Sequence, residues 1–349
     1  MTSTNPRRPT MRDVAHTAGV SLKTVSRVVN AEDGVSADLA ERVEQAIRKL
    51  QYQPDERARN LRQSDSRSGS IGFVMVDVSN PFFSSILRGL EDVARARNCF
   101  VLSGSSDGDA DREDQLIETF ISRRVDGLVV IPSGDELASL RAEVERGTPV
   151  VFLDLEAPGF TCDLVRSDHR GGARSATEHL VHHGHRDIAF LCDDTNIFSA
   201  GERLAGFQDA MADAGLAVRS EWVVTGRHRP DEWRPLVAAL LQQEQRPTAI
   251  FTAQNFISIG ALQALHELQL HRTVAMVGFD DVELADVVEP GLTVVPQQPR
   301  ELGRRAGMML FDRLDGSTDP QSKVVVASPL ILRGSGEIPP SHWGRPAGS

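Results

Sequence analysis

The sequence predicts an all-α helix-turn-helix head followed by an α/β core of two lobes, with parallel sheets and flanking helices. Three observations carry this. Two short helical patterns broken at "AGVS" open the chain, and beyond about residue 71 short Val/Ile/Leu/Phe runs alternate with amphipathic helices. That alternation restarts midway, at "SDHRGGARSATEHLVHHGHRDIAFL", which suits a second, similar lobe.

The charge divides at the same place. Residues 1–62 hold 11 Lys and Arg against 8 Asp and Glu, net +3, whereas the remainder holds 27 against 41, net −14, in a chain of 349 residues and net charge −11. Contact with a polyanion is therefore expected in the head alone, and the acidic body discourages non-specific nucleic-acid binding. The hydrophobic content of 40% suits a soluble globular protein with a large core.

In the first helix Val14, Ala15 and Ala18 fall at helical spacing, Thr10 or Arg12-Asp13 opens it and Gly19 stops it. Ser21 is an N-cap candidate for the second helix, with Val25, Val28 and Val29 as its inner stripe. A third helix runs from Ala37 to about Leu50, with Ser36 before it and Leu39, Val43, Ala46, Ile47 and Leu50 inward. Pro54 can only start a helix, and "SDSRSGS" reads as a linker, so the head ends near residues 62–70. Eight strand patterns follow: "IGFVMVDV", "CFVLSGS", "DGLVVIP", "PVVFLDL", "DIAFLCD", "AIFTA", "TVAMVGF" and "LTVVPQ".

A helix pair with a short Gly-containing turn is the geometry that sets a second helix into the DNA major groove. On that helix Leu22, Lys23 and Arg27 are placed to approach base edges: Arg27 suits guanine, Lys23 guanine or phosphate, and Leu22 a thymine methyl. Ser21, Thr24, Ser26 and Asn30 suit phosphate or positioning contacts. Spacing alone fits equally a small helical bundle whose Ser and Thr are caps and whose Lys and Arg are solvated.

"MRDVAHTAGVSLKTVSRVVN" with "VSADLAERVEQAIRKLQYQPDERARNL" closely resembles the head and hinge of the LacI/GalR (lactose-repressor) family of bacterial transcriptional regulators. "NPFFSSILRGLEDVA", "RVDGLVVIP", "EHLVHHGHRDIAFL", "ERLAGFQDAM", "VGFDD" and "TVVPQQPRELG" extend the resemblance to about residue 335, over a core like the periplasmic sugar-binding proteins. The resemblance implies a repressor whose affinity for a near-palindromic operator is set by a small effector between the lobes. It implies base reading by Leu22, Lys23 and Arg27, a minor-groove wedge at Leu61 followed by Arg62, and a homodimer with paired hinge helices.

The domains expected on this basis are the head, 1–53; hinge helix and linker, 54–70; the ligand-binding and dimerisation core, 71–335; and a flexible tail, 336–349. The N-lobe would take about 71–167 and 297–326, and the C-lobe about 168–296 and 327–335. The tail has no apolar heptads, so no coiled-coil tetramer is expected from it.

By the same resemblance, Asn80, Phe82 and Phe83 follow a strand where ligands sit, the aromatics flanking a sugar ring; the alternative is that Phe82 and Phe83 are core residues. Arg203 matches a family arginine that clamps neighbouring hydroxyls, with Asp280 as its complement. Asp154 and Gln297 match ligand or hinge positions, and each fits equally as a cap. Gln254-Asn255 departs from the Asn-Asp usual in the family, which reshapes the pocket floor. A neutral sugar or polyol is the expected effector class, with sugar acids, phosphosugars and nucleobases as alternatives.

Other chemistry finds little support. Cys99, Cys162 and Cys192 are an odd, widely spaced set that implies neither a disulfide framework nor zinc. His179, His182, His183 and His185 have metal-like spacing, but "EHLVHHGH" resembles the family's ordinary helix-to-strand turn, so no metal is expected. No phosphate-cradling or nucleophile-elbow motif occurs, so neither a cofactor nor an enzyme is expected. With no apolar segment after "MTSTNPRRPT", the chain is read as cytoplasmic and, by its DNA partner, nucleoid-associated in a bacterium; that reading, with the head, disfavours an exported solute-binding protein.

Overall fold

The computed structural model describes residues 9–30, 32–53, 67–133, 137–155, 159–226 and 231–341. The chain divides into two units, Met1–Ser68 and Gly69–Ser349. Leu61 and Arg62, and with them the expected hinge helix, lie outside the described residues.

The first unit holds α1 (Met11–Ala18), α2 (Leu22–Val29) and α3 (Ala37–Leu50). Thr10 caps α1 in a capping box with Asp13, whose carboxylate accepts from Thr10 N at 2.7 Å. Gly19 ends it at φ 62°, a left-handed turn that a side chain would strain. Ser21 Oγ accepts from Thr24 N at 3.1 Å and so starts α2. Ser36 stands at the N-cap of α3 without a side-chain cap bond. Val14, Ala15, Ala18, Val25, Val43, Ala46 and Tyr52 form the core, while Val28, Val29, Ile47 and Leu50 pack at its margin and Leu39 is half-buried. Arg42 reaches back across the turn, donating to Ala18 O at 2.7 Å and Gly19 O at 3.3 Å.

The second unit carries two all-parallel sheets. β1 (Ser70–Met75), β2 (Phe100–Ser105), β3 (Leu128–Val130), β4 (Val150–Leu153), β5 (Asp163–Ser167) and β11 (Lys323–Val326) lie in the order β11-β5-β4-β3-β1-β2. Around them lie α4 (Pro81–Ala96), α5 (Ala110–Ser122), α6 (Ala138–Glu145) and α11 (Pro299–Leu314). We call this the N-lobe. The C-lobe sheet has β6 (Ile188–Cys192), β7 (Val223–Thr225), β8 (Ala249–Thr252), β9 (Ala275–Phe279) and β10 (Thr293–Val295), in the order β10-β9-β8-β6-β7. Its helices are α7 (His169–His182), α8 (Phe198–Asp213), α9 (Trp233–Leu241) and α10 (Asn255–Glu267).

Successive strand residues point to opposite faces, and both faces are covered. In the N-lobe Ile71 and Phe73 join Leu90 and Leu310 in one core while Val74 joins Ile117 and Phe120 in another. In the C-lobe Leu191 and Ile250 face Trp233 and Leu265, and Phe190 and Phe251 face Phe207. The chain passes between the sheets after β5, β10 and β11. All strands being parallel, their C-terminal ends gather at one edge of each sheet, and the candidate ligand residues sit there.

The expected tail is corrected at its start. Ser335–Glu337 form a short 3-10 turn on the C-lobe, where Ser335 Oγ donates to Met276 O at 2.6 Å and Glu337 Oε1 bonds His179 Nε2 at 2.6 Å. His185 Nε2 bonds Ile338 O at 2.8 Å, and Ser341 Oγ donates to Thr273 O at 3.1 Å. Two of the four histidines thus hold Glu337 and Ile338 to the C-lobe, because buried imidazoles need polar partners and the C-terminal segment supplies them. Among the described residues no group of three or more metal-ligating side chains occurs, and no helix there is long and apolar enough to cross a membrane.

Candidate functional site

In the head, Leu22 is 43% exposed and Lys23 is exposed, both on the first turn of α2. Arg27, half-exposed on the same helix, lies 3.8 Å from Glu32. The short polar residues satisfy one another: Ser21 Oγ lies 2.8 Å from Thr24 Oγ1, and Asn30 Nδ2 donates to Ser26 Oγ at 3.4 Å. Thr24, Ser26 and Asn30 are half-buried. The first turn of α2 therefore offers an apolar contact and a cation to solvent.

In the core the candidates converge from both sheets. Asn80 caps α4, its Oδ1 accepting from Phe82 N at 3.0 Å. The same oxygen accepts from Asn255 Nδ2 of the C-lobe at 2.7 Å. Asn255 Oδ1 is itself held by Phe256 N at 2.8 Å, so both amides have their orientation set by the backbone. Gln254 caps α10 through Phe256 N at 2.9 Å and Ile257 N at 3.3 Å, a structural use of its oxygen. Phe82 and Phe83 are half-buried, packed against the N-lobe core and edge-to-face with each other, centroids 5.2 Å apart.

Asp154 ends β4 and Asp280 ends β9, each in a left-handed conformation, φ 66° and φ 69°. Each donates its N–H to the neighbouring strand, Asp154 to Val165 O at 2.8 Å and Asp280 to Val295 O at 3.0 Å. The unusual φ turns both carboxylates out of the strand direction, and Asp tolerates it better than most residues. Asp280 Oδ1 accepts from Gln297 Nε2 at 2.6 Å and Oδ2 from Asn255 N at 3.3 Å. Burial pushes the Asp280 carboxyl up despite Arg203, Gln297 and Asn255. Burial also acts to raise Asp154, but His169, Arg203 and Arg166 outweigh it and hold that carboxyl below its ordinary range.

Arg203 lies 6% exposed on α8. Its Nη1 donates to Ala253 O at 2.6 Å, Nη2 lies 3.2 Å from His169 Nδ1, and the guanidinium stands 4.3 Å over the Phe279 ring. His169 Nε2 bonds Asp154 Oδ1 at 2.7 Å. Sequence reasoning missed His169; its only signal is its place just after the β5 strand, in "RSDHRGG". Gly206 brings these residues together, since a Cβ there would collide with Arg170 O and force α8 away from α7.

Two buried polar atoms of this cluster have no partner, Arg203 Nε and Gln297 Oε1. One is a donor and the other an acceptor. Buried polar groups are rarely left so, and a hydroxyl of a neutral ligand can satisfy either kind.

The comparisons with known proteins agree with this architecture. A model described as bacterial regulatory proteins, lacI family, matches residues 10–55, and one for the periplasmic binding protein-like domain matches residues 177–336. The ribose operon repressor of Escherichia coli (strain K12) is 33% identical over 329 residues, 93% of this chain and 99% of that protein. The HTH-type transcriptional repressor PurR of Haemophilus influenzae (strain PittEE) is 31% identical over 332 residues, 93% and 98% of the two chains. A crystal structure of the lac repressor dimer bound to operator and the anti-inducer ONPF superposes with a TM-score of 0.81 at 27% identity, covering 95% of this chain and 99% of that one.

Proposed function

The chain belongs to the lacI family of bacterial regulatory proteins and is a DNA-binding transcriptional regulator, and from that premise we propose that it is a repressor controlled by a neutral sugar held between the lobes. The observation that carries the effector class is the pair of unpartnered atoms, Arg203 Nε and Gln297 Oε1. An anionic effector would meet two buried carboxylates, Asp154 and Asp280, around a guanidinium already committed to Ala253 O and His169. A sugar hydroxyl brings no charge and both donates and accepts. Its C–H face suits Phe82 and Phe83, and Asn80, Asn255, Asp154 and Asp280 would take remaining hydroxyls, with Gln254 shaping the floor.

In this reading the head reads DNA through Leu22, Lys23 and Arg27, with Ser21, Thr24, Ser26 and Asn30 positioning it on phosphates. A homodimer presents two heads to a near-palindromic operator in the bacterial cytoplasm, with Leu61 and Arg62 at its centre. The protein acts by binding and carries out no catalysis. The match to a ribose operon repressor makes ribose the first effector to try.

The test is a thermal-shift panel of ribose, other neutral sugars, sugar acids and purine bases, with hits repeated against operator-like DNA from the protein's own upstream region. A neutral sugar that raises the melting temperature and changes DNA affinity is the expected result. A response confined to purines or sugar acids would overturn the effector class.

A further inference from the structure

His169 is assigned no role by the family resemblance, yet it sits where the two lobes are joined. It is the first residue of α7, immediately after the chain has crossed from β5, and it is 2% exposed. Asp168 caps the helix through Gly171 N at 2.9 Å and ties the crossover to the N-lobe by donating its own N–H to Val326 O at 2.9 Å. The backbone of His169 is thereby fixed.

The ring then makes one bond to each lobe. A guanidinium can only donate, so His169 Nδ1 accepts from Arg203 Nη2; a carboxylate accepts, so Nε2–H donates to Asp154 Oδ1. The result is a directed chain, from Arg203 of the C-lobe through the imidazole to Asp154 of the N-lobe. The His169 ring also lies beside Phe279, centroids 6.2 Å apart, the same ring that carries the guanidinium. With Nη1 on Ala253 O and Nη2 on His169, the unpartnered Nε is aimed by its two neighbours.

We propose that His169 is the positioning residue that links the effector-holding Arg203 to Asp154 across the lobes, so that effector occupancy and lobe arrangement act on one another through a single imidazole. An arrangement that draws Asp154 away from α7 breaks the Nε2 bond and loosens the hold on Arg203. An effector that needs Arg203 in place therefore favours the arrangement in which the chain is intact, which is the differential binding that allosteric control requires. This inference rests on the reading of Arg203 as an effector contact.

The experiment compares the full-length native protein with His169→Gln and His169→Leu, using ribose as the probe. Glutamine carries an acceptor and a donor at one planar end and can replace both bonds; leucine fills space and replaces neither. The measured quantity is the ratio of operator affinities with and without saturating ribose, beside ribose affinity by calorimetry. In His169→Leu the ratio is expected to fall at least tenfold towards one, and in His169→Gln to stay within a few-fold of native. A native ratio in His169→Leu, or equal loss in both variants, overturns the proposal.

Arg203→Ala is measured alongside. If it keeps ribose binding and response, the effector reading of Arg203 has failed, and the proposal with it. If the native protein answers no sugar at all, the proposed effector class fails on its own, and small-angle scattering of ligand-free protein decides the linkage. A larger radius of gyration in His169→Leu than in native and His169→Gln supports it, and three superimposable curves overturn it.

Discussion

The head and the core use polar residues in opposite ways. In the head, the bonds among candidate residues are local, spanning three residues from Ser21 to Thr24 and four from Ser26 to Asn30, and Leu22 and Lys23 stand exposed. In the core, Asp154, Arg203, Asn255, Asp280 and Gln297 are buried and bonded across distances from 15 residues, Asp154 to His169, to 175, Asn80 to Asn255. A surface that reads a partner leaves its atoms free until the partner comes. A buried cluster must arrange its atoms in advance, from segments far apart in the chain.

Removal of the buried cation has the largest expected effect. Arg203→Ala strips partners from Ala253 O and His169 Nδ1 and removes the cation that offsets the buried Asp154 and Asp280 carboxylates, so a stability loss of about 3 to 5 kcal/mol is expected from denaturant unfolding. A loss below about 1 kcal/mol would show that the cluster is not preorganised as drawn.

Next comes Glu113, fully buried on α5, whose Oε2 accepts from Ser133 N at 2.8 Å while Oε1 has no partner. Burial pushes its carboxyl up to about 7. Between its unfolded value and that one, the folded protein keeps a proton that the unfolded chain has lost, so stability falls as pH rises through this window and the penalty is complete above it. Glu113→Gln should therefore stabilise the protein at pH 8, by up to about 3 kcal/mol, and barely at pH 4.5. Melting curves at the two pH values check the sign.

In the head the expected effects are smaller and fall on binding. Arg27→Ala should weaken specific operator binding by about 1 to 3 kcal/mol in a gel-shift titration while leaving stability within about 0.5 kcal/mol. A stability loss as large as the binding loss would make Arg27 a structural residue. Smallest is Ser21→Ala, which removes the α2 cap and should cost about 1 kcal/mol of head stability without altering any effector response.

Much of the fold was legible because it is written locally. The capping pattern of "TMRD", the glycine at 19 and the eight Val/Ile-rich runs each announce an element within a few residues. Three strands were not read: β5, "DLVRS", is short and carries an arginine, while β7 and β11 are edge strands whose exposed residues blur the apolar run. The partners of the candidate site were legible only in part. Arg203 and Asp280 follow from the family pattern, but neither their patterns nor their spacing shows that His169 stands between Arg203 and Asp154.

The helical head with its basic charge, the alternation of most strands with helices in an acidic core, and the family are legible in the sequence, since caps, periodicity and motif act over a few residues or along the whole chain as pattern. The tertiary structure decided which polar groups meet: Asn255 with Asn80, Asp280 with Gln297, His169 with both Asp154 and Arg203. It also decided which atoms stay unpartnered, and placed residues 336–341 against the C-lobe. The physical reason is that a hydrogen bond reaches about 3 Å. Only the close approach of strand ends and helices, set by packing and by contacts such as that at Gly206, brings groups from distant parts of the chain within it.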